Sequence, residues 1–301
     1  MDGRYKPLAY FTKTLDLQGV SQVNCISPAV RSAEIWLSDK ASHQVSMRQL
    51  ADYLGYSESH LRRLFTSHFG YSPGRYRDLL RLERAAMLLA RTRLPIIEIA
   101  IQCGYSSHPV FTRAFRHKHG SSPRTFRQQF EHYQQVAISR LRQDVFDSCR
   151  PRIVKNAKYE LYLARHYGKL DLKAQQHTWL HYTRRTQLSS QHRSLIQPAW
   201  IYHDDPDITP GERLRTDLGY RAMHPYSLPT ERFFHRIRIE SKRAVTARFD
   251  KPTDIEHLRT YLTLVWLPQH GESIDGNATS VLFDAADGCC GSGTLTIPLL
   301  H

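Results

Sequence analysis

Acidic residues are scarce in this chain, cysteines are few, and long hydrophobic runs are missing; each shortage rules something out. Only 28 Asp and Glu face 42 Lys and Arg among 301 residues, a formal net charge of +14 with histidine neutral. Five cysteines (Cys25, Cys103, Cys149, Cys289 and Cys290) are odd in number and stand at no zinc or thioredoxin spacing, which argues against a disulfide framework or a thiolate metal site. They read as reduced thiols, with Cys103 in a core and Cys289-Cys290 in a loop. No apolar run approaches the roughly 20 residues that span a bilayer, and no signal pattern opens the chain, so the expectation is a cytoplasmic protein without a membrane partner. A Gly-rich phosphate loop is absent, as is any Ser/His/Asp or Cys/His pattern with supporting context, so no catalytic residue, metal ligand or cofactor is expected.

What is present is unevenly spread. Residues 1–150 hold 22 Lys and Arg against 12 Asp and Glu, and between Arg48 and Arg127 the ratio is 14 to 5. A basic surplus concentrated in one half is the footprint of a polyanion partner. Inside it, Ser46 to Phe69 reads as two short helices joined by a tight turn at Gly55. Leu50, Ala51 and Leu54 form one inner face and Leu61, Leu64 and Phe65 the other, with Ser57 as N-cap of the second helix. Arg62 and Arg63 lie on its outer side. The pattern then recurs. Pro95 to Ser106 repeats Ser46 to Ser57 at an offset of 49, and past the turn Phe115, Gly120 and Ser122-Pro123 answer to Phe65, Gly70 and Ser72-Pro73 at an offset of 50. A helix from Ser27-Pro28 to about Ser42 precedes the first unit, burying Val30, Ala33, Ile35 and Leu37 or a subset. A longer helix over Pro73 to Arg91 joins the two units. Two helix-turn-helix units on one rigid bridge can enter successive major grooves, so that a monomer holds an asymmetric site.

The residues Leu50-Ala51, Gly55-Tyr56-Ser57, Leu61, Phe65, Gly70 and Ser72-Pro73, with Ile99-Ala100, Gly104-Tyr105, Phe111, Phe115, Gly120 and Pro123, resemble the AraC/XylS family of transcription regulators over about residues 27–130. The resemblance implies double-stranded DNA and RNA polymerase as partners and a nucleoid-associated location. It also implies that Ser59, Arg62 and Arg63 in the first reading helix, and His108, Pro109, Thr112 and Arg113 in the second, face bases or phosphates. Their chemistry agrees: arginine can bond guanine O6 and N7 together, and threonine can meet a base methyl or a phosphate.

Beyond about residue 150 the composition shifts to β-branched and aromatic strands. A second, weaker repeat at an offset of 83 sets Ala164-Arg165-His166-Tyr167 against Ala247-Arg248-Phe249-Asp250, and Leu172 against Ile255, each followed by a helix. Two strand-helix-strand-strand units would leave a concave apolar cleft. Arg165-His166-Tyr167-Gly168, the segment Ile201 to Asp217, Trp266-Leu267-Pro268 and Ile297-Pro298 resemble the gyrase-inhibitor-like effector-binding domain. Together the halves resemble the right-origin-binding type of activator. That implies a small amphipathic effector or a protein partner for residues 158–301, with Tyr162, Trp179, Trp200, Tyr202 and Phe234 as candidate pocket residues. Val281 stands where such domains often carry an acidic residue, which argues against a cationic ligand. Asp204, Asp205 and Asp207 fit either a divalent cation or a turn with capping carboxylates, and the flanking prolines favour the turn.

The expected architecture is an all-α DNA-binding domain (two helix-turn-helix units joined by a long helix) followed by an α+β domain of tandem strand-helix-strand-strand units. The boundaries fall at 1–26 for an extension, 27–130, a linker over 131–157, and 158–301. The expected function is sequence-specific DNA binding in transcription regulation, with activation as the sense the resemblance implies, without enzymatic activity. The alternatives are a hydrolase-like activity in the C-terminal half and an architectural DNA binder without sequence preference.

Overall fold

A computed structural model describes residues 27–43, 45–185, 196–223, 234–284 and 291–300. The expected extension over 1–26, and Cys25, Cys289 and Cys290, lie outside the described residues.

The first half is helical: α1 (Pro28–Asp39), α2 (Met47–Leu54), α3 (Glu58–Phe69), α4 (Pro73–Arg91), α5 (Ile96–Gln102), α6 (His108–His119), α7 (Pro123–Ser139) and α8 (Gln143–Cys149). Local chemistry sets these ends. Ser46 and Gln49 form a reciprocal capping box, Ser46 Oγ accepting from Gln49 N and Gln49 Oε1 from Ser46 N (2.8 Å). Ser72-Pro73 and Ser122-Pro123 supply a cap followed by proline at the first helical position. Gly104 must be glycine on two counts: its φ is +80°, and a Cβ there would lie 2.6 Å from the Ser42 carbonyl oxygen. Helix α1 ends at Asp39, short of Ser42, and it buries Glu34 rather than Ile35.

The two units have different cores. Val30, Ala33, Leu37, Leu50, Ala51, Leu61 and Phe65 form a small separate cluster around the first. The second unit's Ile99, Phe111 and Phe115 pack on Leu82, Ala85, Ala86 and Leu89 of α4, and that cluster runs on without a break into the C-terminal sheet.

The second half contains β1 (Arg152–Lys155), β2 (Tyr159–Tyr167), α9 (Leu172–Arg185), β3 (Ile196–Tyr202), β4 (Arg215–Ala222), β5 (His235–Ile239), β6 (Arg243–Phe249), α10 (Ile255–Tyr261), β7 (Thr279–Phe283) and β8 (Gly293–Pro298); α10 continues through a π-helical stretch to Gln269. One antiparallel sheet takes the order β1-β6-β8-β7-β3-β4-β2-β5. The offset of 83 reappears in three dimensions. Strands β2, β3 and β4 with α9 form one unit, β6, β7 and β8 with α10 the other, and they meet at β3–β7. Each unit's leading strand crosses over: β1 pairs with β6, and β5 with β2.

The linker expected over 131–157 is structured. It holds the end of α7 and then, after a break at residues 140–142, α8, and β1 belongs to the sheet. The halves are clamped together. Glu34 of α1 is fully buried and accepts hydrogen bonds from Tyr76 Oη (3.0 Å), Arg165 Nη1 (2.8 Å) and Tyr167 Oη (3.0 Å). Arg165 also grips the buried Asp217 through Nε and Nη2. Burial opposes ionisation of Asp217, yet Arg165 and then His203 hold its carboxyl well below the usual range.

The aspartate segment is indeed a turn, the Asp205 carboxylate accepting from Asp207 N at 3.0 Å, but its larger task lies elsewhere. Arg91, the last residue of α4, bonds Asp205 Oδ2 (2.8 Å) and Asp207 Oδ2 (2.5 Å), while Asp204 holds Arg215. Arg213 reaches Glu83 of α4 at 3.0 Å. Farther along, Arg142 pairs with Asp254, and Phe146 stacks on Tyr261 with ring centroids 4.1 Å apart.

Two histidines inside this frame give it a pH dependence. Burial pushes His119 down to about 3 and His166 down to about 4, so both are neutral in the fold at pH 7. An unfolded histidine titrates near 6.5, so their contribution is complete above that pH and is lost as pH falls toward the folded values. The free energy of unfolding is expected to drop by up to about 4 kcal/mol between pH 7 and pH 5, about half from each histidine, and His119→Asn should flatten that slope in urea titrations.

Candidate nucleic-acid interface

On α3, Leu61 (2 % exposed) and Phe65 (0 %) point inward, and Ser57 Oγ accepts from His60 N at 3.3 Å, fixing the first turn. Ser59, Arg62 and Arg63 are thereby turned to solvent. On α6 the same logic holds: Phe111 and Phe115 are fully buried, Ser107 Oγ accepts from Val110 N, and His108, Pro109 and Arg113 are exposed. Pro109 sits in the first turn, where a missing N–H costs little. Thr112 departs from expectation. It is only half-exposed, and its hydroxyl is buried without a partner among the described residues, so Oγ1 is not offered to a base or phosphate in this conformation.

The arginines sort into two groups. Arg62, Arg63 and Arg113 make no hydrogen bond or ion pair with any described residue, leaving their five-donor forks open. Several others are structural. Arg77 donates to the Val45 carbonyl (2.6 Å), Arg81 to the Ala41 and His43 carbonyls, Arg84 to Ser42 Oγ and the Asp275 carbonyl, and Arg127 to the Leu94 carbonyl (2.6 Å). The sequence count of positive charge therefore overstates the surface available to a polyanion. Arg116, exposed and unpaired one turn beyond Arg113, belongs with the open group and escaped the motif reading. The repeat gave no signal for it, since the equivalent position in α3 is Thr66.

A family profile described as a helix-turn-helix domain matches residues 50–129. Over 102 residues the chain is 34 % identical to Transcriptional regulator Rob of Salmonella typhimurium, covering 34 % of this chain and 35 % of that protein. It is 35 % identical over 98 residues to the right origin-binding protein of Escherichia coli, covering 33 % and 34 %. Against the transcriptional activator RhaS of Enterobacter sp. it is 37 % identical over 93 residues, covering 31 % and 34 %. Residues 50–129 form an AraC-type helix-turn-helix domain. The chain spans about a third of the length of these curated relatives. Among the described residues no helix is long and apolar enough to cross a membrane.

Outside the AraC-type domain, the five candidate pocket aromatics make separate contacts among the described residues. Trp179 (1 % exposed) and Trp200 (0 %) are core residues, Trp200 packing edge-on against Phe283 with centroids 4.5 Å apart. Tyr202 donates to Gln175 Oε1 (3.0 Å). Phe234 meets Tyr220 and Tyr182 edge-on, each at 5.4 Å, and Tyr162 stacks on Tyr220 at 5.6 Å. A cavity of about 30 Å³ beside Tyr202, Arg91 and Asp205 has room for only a water or two. Val281 is fully buried in the helix-side core, so it does not mark a ligand face. Buried carboxylates lie elsewhere, Asp217 among them, and Arg165 already neutralises that one.

Proposed function

We propose that the chain is a transcription regulator that binds double-stranded DNA sequence-specifically, each helix-turn-helix unit addressing one of two successive major grooves. One observation carries the reading: Arg63 and Arg113 occupy equivalent positions of the internal repeat, on capped helices, exposed and unpaired. An unpaired guanidinium held on a rigid helix face is suited to the O6/N7 edge of guanine. The names of the relatives, a right origin-binding protein and a transcriptional activator among them, support a regulatory role and activation as its sense. RNA polymerase follows as the protein partner, and the chain acts without catalysis. Residues 158–301, resembling a gyrase-inhibitor-like domain, serve as an effector or partner module whose state reaches α1 through Glu34 and α4 through Arg91.

The test is selection of bound duplexes from a random pool, followed by Arg113→Ala. The variant is expected to lose about 10- to 100-fold in affinity for the selected duplex and to relax preference in one half of the site only, consistent with a bidentate contact of ~1–3 kcal/mol. Equal loss on selected and random DNA at fixed salt would assign Arg113 to phosphate and remove the base-reading role.

A further inference from the structure

The second reading helix carries an apolar side chain that packing does not require. Val110 is 50 % exposed, belongs to none of the hydrophobic clusters, and lies in the first turn of α6. Valine there leaves half of its surface in solvent and is a poorer helix former than alanine. Its position is informative. Val110, Arg113 and His117 follow one another at three- and four-residue spacing and are all exposed, forming a stripe opposite the buried Phe111 and Phe115. Pro109 extends the apolar edge by one residue. In the first unit the equivalent of Val110 is His60, which is half-buried and stacked on Tyr56 with ring centroids 5.3 Å apart and planes 8° from parallel. The two helices therefore offer different chemistry at the same place.

We infer that Val110 determines specificity by packing on the C5-methyl group of a thymine beside the guanine addressed by Arg113. In the major groove that methyl is the one apolar feature by which T·A is recognised, and an exposed aliphatic side chain next to a base-reading arginine is its natural counterpart. The inference rests on the DNA-reading role proposed above. It assigns the two half-sites different demands: a methyl contact in the half read by α6, and none at the matching position of α3.

The experiment uses the full chain and the duplex selected from a random pool, with each thymine in turn replaced by deoxyuridine, which keeps every hydrogen-bonding group and removes only the methyl. The wild-type protein is expected to lose about three- to tenfold in affinity at one thymine, adjacent to the base pair whose preference Arg113→Ala relaxes. Val110→Ala should bind the thymine duplex more weakly by the same factor and be indifferent to deoxyuridine at that position alone, while Val110→Ile keeps the sensitivity. Circular dichroism confirms that the variants fold. If every deoxyuridine penalty is the same in Val110→Ala as in wild type, the inference is wrong although the protein still reads DNA. If the wild-type protein does not distinguish selected from random duplex, the DNA-reading role itself fails.

Discussion

Arg165→Leu is expected to lower the free energy of unfolding by about 3–5 kcal/mol, read as a shift of the urea midpoint. The side chain is 1 % exposed and lies between two carboxylates that are themselves fully buried, Glu34 from α1 and Asp217 from β4. Leucine fills much of the same volume, so the loss is electrostatic: two anions remain out of water with their main counter-charge gone. Tyr76, Tyr167 and Arg215 still face Glu34, and His203 still faces Asp217 at 2.8 Å, which keeps the cost from rising further. The sign of the pH dependence is a second readout. In the wild-type protein Asp217 ionises below its ordinary value, so its contribution is present above about pH 4 and is lost as pH falls through the depressed value. In Arg165→Leu that advantage shrinks, and stability falls less steeply on acidification. Adding Glu34→Gln and Asp217→Asn should recover part of the loss, because neutral amides tolerate the dry site better than unpaired carboxylates. A variant with an unchanged midpoint would show that the clamp contributes nothing net.

The second large effect separates the two helix-turn-helix units. Phe65→Ala and Phe115→Ala remove the same side chain from equivalent, fully buried positions, and each is expected to cost about 3–5 kcal/mol locally. The consequences differ because the cores differ. Phe115 meets Phe111, His119 and Phe126 in the cluster that continues into the sheet, so its loss should lower the single global transition. Phe65 belongs to the small cluster of the first unit. Its loss should appear first in native-state hydrogen exchange, as faster exchange in α2 and α3 with α5 and α6 little changed. Equal acceleration in both units would mean that the first unit opens only with the whole molecule.

The sequence displayed some of this structure and concealed the rest for identifiable reasons. The helix-turn-helix repeat was legible because caps, turn glycines and apolar spacing are local, and α4 spans Pro73–Arg91 as its pattern predicts. The offset of 83 was legible because both C-terminal units start their strands and helices in step. Glu34 was hidden: it falls beside Ala33 in an amphipathic period that nominates Ile35, and its partner Arg165 is 131 residues away. The acidic turn concealed its role in the same way, since Arg91 lies 114 residues before Asp205. Local reading sees Asp-Asp-Pro-Asp as a turn, and only the tertiary fold brings arginine to it. At the interface the open arginines were found by motif. Arg116, Val110 and the buried hydroxyl of Thr112 needed side-chain exposure, which periodicity does not report. Bulk alone does not tell a core aromatic from a cleft aromatic, and burial places Trp179 and Trp200 in the core.

The crossing of β1 to β6 and of β5 to β2 has a consequence for the domain as a doubled object. Neither copy of the repeat is self-sufficient: each begins with a strand for which its own unit offers no neighbour, and each has an edge that only the other copy's strand covers. The two halves are interlaced rather than strung side by side. One copy alone would be a three-stranded sheet with an unpaired leader, and it could close only by trading leaders with a second molecule. In this chain the second copy of the repeat supplies that partner in cis.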